Sequence, residues 1–114
     1  MSGGEKPALG LVLERLAQTI ESRKGADPSS SYTASLLAKG PSGCARKFGE
    51  EAVETVIAAL EGDGAALAGE AADALFHLLV VLTAAGVSPG EVAKVLADRE
   101  GVSGHAEKAA RKND

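Results

Sequence analysis

Five acidic side chains, spread over two predicted helices, are the groups in this sequence best suited to chemistry. They are Glu50, Glu51, Glu54, Glu70 and Asp73. Because each helical residue turns the chain by about 100°, the three glutamates at 50, 51 and 54 share one flank of their helix. A spacing of three residues likewise places Glu70 and Asp73 on one stripe of the next helix. The pattern predicts that the two sets converge between neighbouring helices.

The residues around Glu70 and Asp73 indicate what would bind there. From 71 to 85 the polar residues are Asp73, His77 and Thr83. A helix that is apolar on nearly every side is expected to be buried all round, and Glu50, beside Ile57 at the edge of an apolar stripe, is expected to be partly buried. Carboxylates in an apolar layer need a cation, and oxygen ligands suit Mg²⁺, with Mn²⁺ as a substitute, better than zinc. The carboxylates therefore predict a magnesium site, with His77 as a core residue outside it.

Simpler interpretations of the acidic residues stay open. A Glu-rich segment such as EEAVE, taken alone, is typical of a solvated helix face. Arg46 and Lys47 could also neutralise the acids without any metal. A di-iron bundle is disfavoured, because it needs Glu-x-x-His on two helices, whereas Asp73 and His77 are four residues apart and have no second copy.

Basic side chains precede the acidic cluster and are candidates for binding phosphate. The principal candidates lie just before the acidic residues and carry charges suited to an anion such as phosphate; they are Lys39, Arg46 and Lys47. Weaker candidates, better explained as solvated surface residues, are Arg99, Lys108 and Arg111. The sequence has no Gly-x-x-x-x-Gly-Lys loop and no nucleophile elbow, so neither a P-loop nor covalent catalysis is supported.

A bundle of four to five helices is expected to position these residues. Apolar periodicity and helix-breaking residues place the helices at 7–24, 32–39, 44–60, 64–85 and 89–99. Asp63 is expected to cap the fourth helix, and Ser88, Pro89 and Glu91 form the clearest helix start. Gly49, inside the third, predicts either a close approach of another backbone or a ligand, or a simple packing contact.

Length and composition favour a single all-α domain. The chain has 114 residues, enough for one core, and is 45% hydrophobic but only 3% aromatic. Ala and Leu, both strong helix formers, supply much of the apolar content. We expect the domain to span 1–100, followed by a tail at 101–114 that is mobile or ordered only by a ligand or partner. Because so few helices can hardly bury 64–85 on every side, the sequence also predicts a homodimer.

Charge and targeting features narrow the partners and the compartment. A net charge of -4 disfavours nucleic acid as a partner. The single cysteine, Cys44, cannot form an intrachain disulfide and is interpreted as structural, and the first ten residues lack signal-peptide features, so a cytoplasmic protein is expected. The strongly apolar stretch 78–85 is far shorter than the roughly 20 residues of a membrane span, so no membrane association is expected.

The acidic motif also carries a family resemblance. Glu50-Glu51-x-x-Glu54 followed by Glu70-x-x-Asp73 resembles the signature of the all-α nucleotide pyrophosphohydrolases, which include MazG and the dimeric dUTPases. Further stretches, covering nearly the full length, resemble one branch, the phosphoribosyl-ATP pyrophosphohydrolases. These are SYT at 31–33, RKFGEEAVETVIAA at 46–59, EAADALFHLLVVL at 70–82 and SGHAEKAARK at 103–112. Where that family frequently has Lys-Lys-Val, this chain has Arg46-Lys47-Phe48, which keeps the charge and the apolar character.

The resemblance implies a fold, a reaction and a site. The fold would be a MazG-like helical bundle completed by dimerisation. The reaction would be hydrolysis of the bond between the α and β phosphates of phosphoribosyl-ATP, giving phosphoribosyl-AMP and pyrophosphate in the second step of histidine biosynthesis. The five carboxylates match the acidic motif and would serve as Mg²⁺ ligands or as the base that orients water. Attack by water in line would need no covalent intermediate.

Two rival functions compete with this interpretation. A housekeeping hydrolase of noncanonical nucleoside triphosphates would use the same metal cluster with a different pocket for base and sugar. A noncatalytic helical dimerisation module would pair its acids with Arg46 and Lys47. A preference for phosphoribosyl-ATP over deoxynucleoside triphosphates would distinguish this interpretation from the first rival. Specific binding of Mg²⁺ would distinguish it from the second.

Overall fold

The computed structural model describes residues 5–101, and every regular element in that range is an α-helix. The helices are α1 (Leu9–Ser22), α2 (Tyr32–Leu37), α3 (Gly40–Glu61), α4 (Gly64–Ala85) and α5 (Pro89–Asp98). The predicted all-α fold is confirmed. Apart from residue 101, the tail predicted at 101–114, with Lys108 and Arg111, lies outside the described residues, so its behaviour stays a prediction.

Local contacts explain where α4 and α5 begin. Asp63 accepts hydrogen bonds from two backbone N–H groups in the first turn of α4, at 3.1 and 3.2 Å. Ser88 and Glu91 form a reciprocal capping box, in which Ser88 Oγ accepts from the Glu91 N–H and Glu91 Oε2 accepts from the Ser88 N–H. Gly86 ends α4 with a φ of 78°, a conformation that glycine adopts without a steric penalty. Both helix starts predicted from capping residues are confirmed.

Helix α3 begins four residues earlier than the predicted 44–60. Gly40 has a φ of 77°, so the break between α2 and α3 is concentrated at this residue. Pro41 then lies in the first helical turn, where its missing N–H costs no intrahelical hydrogen bond. The Gly-Pro pair therefore starts the helix instead of delaying it. Neither the close approach of another backbone nor the packing contact predicted at Gly49 is found within residues 5–101, since a Cβ built there would meet no atom beyond its own helix backbone within 4 Å. A ligand at Gly49 stays a prediction.

The small core draws one fully buried residue from each of the first four helices. These are Ile20, Leu36, Cys44 and Val80, with further apolar side chains packed around them. Cys44 Sγ donates a hydrogen bond to the carbonyl of Leu36 at 3.1 Å. Burial raises the pKa of its thiol above the ordinary 9.0, although the charge of Lys39 opposes the shift. A buried, protonated thiol fits the structural role predicted for Cys44.

Helix α4 is less buried than its apolar sequence predicted. Only His77 and Val80 are fully buried along its 22 residues, Glu70 is half-buried and Asp73 is exposed. The expectation that α4 is buried all round is therefore wrong for a single protomer. The physical reason is that one protomer has too few helices to surround α4. Helices α1, α2 and α3 cover part of it, and α5 contributes no buried residue.

Length and composition alone would allow α4 to cross a membrane. The expectation counted only 78–85 and therefore underestimated the length of the apolar segment, because the alanine-rich first half of α4 extends it. A mostly buried core helix of a water-soluble protein passes the same test, and 11% of the apolar window of α4 is buried within the protomer. Helix α4 carries Glu70 and Asp73, charges that are costly in a bilayer, and it packs against three other helices. These features fit a helix that packs within a helical bundle.

Candidate active site

Helices α3 and α4 form the scaffold of the candidate site. Two residues connect them, and they make the most extensive contact between any two helices of residues 5–101. A connection this short makes the helices antiparallel neighbours, so residues at equal distance from the turn lie opposite each other. This arrangement brings the 50–54 segment of α3 alongside the 70–73 segment of α4. The predicted pairing of the two acidic helices is confirmed.

The charges around Glu70 reveal which carboxylates lie near one another. Burial is the main cause that raises the pKa of the Glu70 carboxyl above its ordinary 4.5. The negative charges of Glu54, Asp73 and Glu51 raise this pKa further. Like charges act in this way only at short range. Four of the five predicted carboxylates therefore share one electrostatic environment across α3 and α4.

Glu50 stands apart from those four. Its side chain is 63% exposed, compared with 18% for Glu51, and Glu50 does not contribute to the raised pKa of Glu70. The expectation that Glu50 is partly buried is wrong. The reason is that Ile57, its neighbour on the helix wheel, is itself exposed, so the apolar stripe beside Glu50 has no cover within the protomer.

The four carboxylates suit a divalent cation by their chemistry. Within residues 5–101, no three acidic, histidine or cysteine side chains converge closely enough to hold an ion directly. The donor set nevertheless consists of carboxylate oxygens, which Mg²⁺ prefers. The repulsion that Glu54, Asp73 and Glu51 exert on Glu70 is a cost that a cation would remove. Asp73 and Glu54 are exposed, so their side chains have room to turn toward such an ion.

Lys47 is the cation nearest to the acids. Its Nζ lies 3.7 Å from Glu50 Oε1 and 3.6 Å from Glu51 Oε1. Desolvation lowers the pKa of the Lys47 ammonium, but the nearby negative charges, chiefly Glu51, outweigh it and raise the pKa above 10.5. Arg46, by contrast, makes no ion pair with any carboxylate in the described part of the chain. Among residues 5–101, ion pairs to the five acids are thus limited to one lysine and two glutamates of α3.

A groove beside the acids brings the three principal basic residues together. The groove has a volume of about 370 Å³ and is lined by Tyr32, Leu36, Lys39, Gly43, Arg46, Lys47 and Glu50. A Cβ at Gly43 would lie 2.6 Å from the Cβ of Lys39, so glycine is needed for these two residues to pack closely. Arg99 caps the C-terminus of α5 and does not line the groove. A positively charged groove next to carboxylates can hold a polyphosphate whose metal-bound end faces the acids.

Comparison with known proteins decides the class of enzyme. The family model described as phosphoribosyl-ATP pyrophosphohydrolase matches residues 13–100. The chain belongs to this family. A phosphoribosyl-ATP pyrophosphatase of Cereibacter sphaeroides is 67% identical over 100 residues, covering 88% of this chain and 97% of the relative. Proteins with the same name from Dinoroseobacter shibae and Paracoccus denitrificans are 62% and 61% identical, covering 88% of this chain and 98% and 93% of the relatives.

The region matched by the phosphoribosyl-ATP pyrophosphohydrolase family contains every principal site residue. All five carboxylates and the three basic residues of the groove fall within 13–100, whereas Lys108 and Arg111 fall outside it. The family match therefore spans the same α2, α3 and α4 segments that assemble the acids and the groove.

Sequence reasoning missed two contributions to this site. Tyr32 lines the groove, and its ring stacks on Phe76 with centroids 6.5 Å apart and planes inclined by 17°. The sequence feature that could have indicated Tyr32 is Ser31, which immediately precedes it and caps the start of α2. Thr55 Oγ1 lies 2.9 Å from the carbonyl oxygen of Glu51 and 3.0 Å from that of Glu70. The sequence shows that Thr55 lies four residues after Glu51, but it does not show the contact of Thr55 with Glu70.

His77 fulfils its predicted core role only in part. The residue is 5% exposed, and its ring meets Phe76 edge-on with centroids 4.9 Å apart. Nδ1 lies 2.9 Å from the carbonyl oxygen of Asp73, so this nitrogen donates and carries the proton. Nε2 is buried without a hydrogen-bond partner in residues 5–101, so the histidine is satisfied at one nitrogen and not at the other.

Proposed function

We propose that this chain hydrolyses phosphoribosyl-ATP to phosphoribosyl-AMP and pyrophosphate, the second step of histidine biosynthesis. The observation that carries the proposal is the family match over 13–100. This range includes Glu70, the three carboxylates of α3 and α4 whose charges act on it, and the basic groove beside them. Relatives that are 67% to 61% identical are named phosphoribosyl-ATP pyrophosphatases. Water adds to one of the two phosphorus atoms of the α–β anhydride as the bond from that phosphorus to the bridging oxygen breaks, and the products are phosphoribosyl-AMP, a phosphate monoester, and pyrophosphate.

The carboxylates are proposed to hold Mg²⁺, with Mn²⁺ as a substitute. Glu51, Glu54, Glu70 and Asp73 are the best-supported ligands, because the charges of the other three all act on Glu70 and raise its pKa. Glu50 is also proposed as a ligand, although its side chain is exposed to solvent. Bound Mg²⁺ would neutralise charge on the phosphate oxygens as the bond breaks. A carboxylate that is not bound to the ion would orient the attacking water and accept its proton.

The basic groove is proposed to hold the phosphates. Lys39, Arg46 and Lys47 project into one cavity, and three cations match the several negative charges of a polyphosphate. Arg46 offers a planar fork for two phosphate oxygens, whereas the lysines act as point charges. Lys47 borders both the groove and Glu51, so it lies where the metal-bound and groove-bound parts of the substrate would meet.

A homodimer in the cytoplasm is proposed as the working form. Exposed apolar side chains recur along one face of α3 at Val53, Val56, Ile57 and Leu60, and Leu60 is 83% exposed. A contiguous exposed apolar face of this kind marks an interaction surface. A second copy of the chain would cover it and would complete the burial of α4. The domain is proposed to span 1–100, followed by the tail at 101–114.

The decisive experiment compares substrates on the purified protein. With Mg²⁺ present, we expect phosphoribosyl-ATP to be cleaved with a higher kcat/KM than any member of a panel of canonical and noncanonical nucleoside triphosphates, with pyrophosphate as product by ³¹P NMR. Preference for a deoxynucleoside triphosphate would instead support the housekeeping hydrolase. Calorimetry with Mg²⁺ alone tests the other rival, because a noncatalytic dimerisation module gives no specific heat of binding.

A further inference from the structure

The hydroxyl of Thr55 joins the two helices at the positions that carry the acids. Oγ1 lies 2.9 Å from the backbone carbonyl oxygen of Glu51 on α3 and 3.0 Å from that of Glu70 on α4. A threonine hydroxyl has a single proton, so this proton is shared between the two carbonyls. The backbones of Glu51 and Glu70 are consequently held within reach of one oxygen atom.

The contact of Thr55 differs from the usual hydrogen bond of a threonine in a helix. Threonine in a helix often donates to the carbonyl four residues earlier, and Thr19 of α1 does so to Arg15 at 3.1 Å. That bond is local and joins nothing to a second helix. Thr55 makes the same local bond and adds an acceptor on α4, fifteen residues along the chain. The half-buried position of Thr55 limits competition from water for this proton.

We propose that Thr55 is a positioning residue, which sets the register of Glu51 against Glu70 and thereby the spacing of the carboxylates. This inference rests on the proposed function, because it assigns Thr55 a role in arranging the carboxylates for a divalent cation. The reason is geometric. The shared proton fixes the two backbones relative to each other, and a sliding of α3 along α4 would change the spacing of the side chains that they carry. The side chain of Thr55 itself contacts neither substrate nor metal in this scheme.

Three variants test the role. Thr55→Val keeps the shape and removes the hydroxyl, Thr55→Ser keeps the hydroxyl, and Thr19→Val removes the matched local bond on α1. The first readout is Mn²⁺ binding by the substrate-free protein, followed by electron paramagnetic resonance. We expect Thr55→Val to need roughly tenfold more Mn²⁺ for half-saturation, as when a group that orients metal ligands is lost. Thr55→Ser and Thr19→Val should bind Mn²⁺ as the wild type does.

The second readout separates positioning from a general loss of structure. In Thr55→Val we expect kcat to fall roughly tenfold, since misplaced reacting groups slow the chemical step. The KM for phosphoribosyl-ATP should stay close to wild type, because Thr55 does not line the basic groove. The positioning role requires that Thr55→Ser, which keeps the hydroxyl, retain both the kcat and the Mn²⁺ binding of the wild type. Should Thr55→Val not fold, Thr55→Ala takes its place in the comparison with Thr55→Ser.

Wild-type Mn²⁺ binding and kcat in Thr55→Val would overturn the proposal, and so would a Thr55→Ser variant as impaired as Thr55→Val. Failure of the proposed function looks different. In that case the wild type itself does not cleave phosphoribosyl-ATP, whatever residue occupies position 55. The Mn²⁺ titration needs no substrate, so it reports on the carboxylates even when phosphoribosyl-ATP is not cleaved, and a wild type that binds no Mn²⁺ would overturn the positioning role as well.

Discussion

Nζ of Lys47 lies 3.6 Å from Oε1 of Glu51, one helical turn further along α3. The pair sits at the boundary between the acidic cluster and the basic groove, with Lys47 lining the groove and Glu51 acting on the charge of Glu70. An ion pair of this kind on one helix contributes only about 0.3–0.5 kcal/mol to stability. This energy is small, so we expect the position of the pair to matter more for substrate binding than for the fold.

Replacing Lys47 with methionine should weaken substrate binding. We expect Lys47→Met to raise the KM for phosphoribosyl-ATP about tenfold, because a hydrogen bond to a charged group is worth about 1.5–3 kcal/mol. Steady-state kinetics at saturating Mg²⁺ would measure the change, and Lys47→Arg, which keeps the charge, should show a smaller effect. An unchanged KM combined with a lower midpoint of thermal unfolding would indicate that Lys47 only neutralises the acids.

Removing one charge from the acidic cluster should stop turnover. Glu51→Gln and Asp73→Asn keep the side-chain shape, and each should lower kcat by at least about a hundredfold, since a metal ligand or a general base is lost. Circular dichroism should show the same helical content as the wild type. Glu14→Gln on α1, which alters an exposed carboxylate outside the cluster, is the matched control. Wild-type kcat in both cluster variants would refute the assigned site.

The repulsion at Glu70 predicts a pH-dependent stability. Burial first, and then nearby negative charges, raise the pKa of the Glu70 carboxyl above 4.5. The folded state therefore holds this proton more tightly than the unfolded state. The resulting stability is fully present below pH 4.5 and is lost as the pH rises through the raised pKa.

Glu70→Gln mimics the protonated carboxyl at every pH. In metal-free protein we expect the variant to have a higher free energy of unfolding than the wild type near neutral pH, with the difference vanishing below pH 4.5. Urea denaturation in the presence of a chelator, at about pH 7 and about pH 4, would measure it. A wild type that is the more stable of the two near neutral pH would contradict the repulsion, and Glu14→Gln should show no such dependence.

A charge on the exposed face of α3 should weaken the proposed dimer. Leu60 is 83% exposed in the protomer, and burying a leucine at an interface is worth about 1.5–3 kcal/mol. Leu60→Glu should therefore raise the dimer dissociation constant at least about tenfold. Analytical ultracentrifugation would measure this, with Gln18→Glu on the exposed side of α1 as the control for added charge. Equal dissociation constants for the two variants would place the interface elsewhere.

The sequence determined the features that depend on neighbours along the chain. Asp63 and the Ser88–Glu91 capping box start α4 and α5 through contacts within a few residues, so their residue types were sufficient to predict them. Helical periodicity similarly predicted that the acids at 50–54 and 70–73 would form stripes. The family resemblance supplied the reaction, which no spacing of residues could have specified.

Only the tertiary structure decided what those residues meet across the helices. The exposure of Glu50 and Asp73, the gathering of Tyr32 with three basic residues, and the second acceptor of Thr55 all depend on how α2, α3 and α4 pack. Burial in particular is a property of the whole assembly of helices. An apolar stripe predicts that a face seeks cover, but the number and placement of the other helices determine whether one protomer provides it.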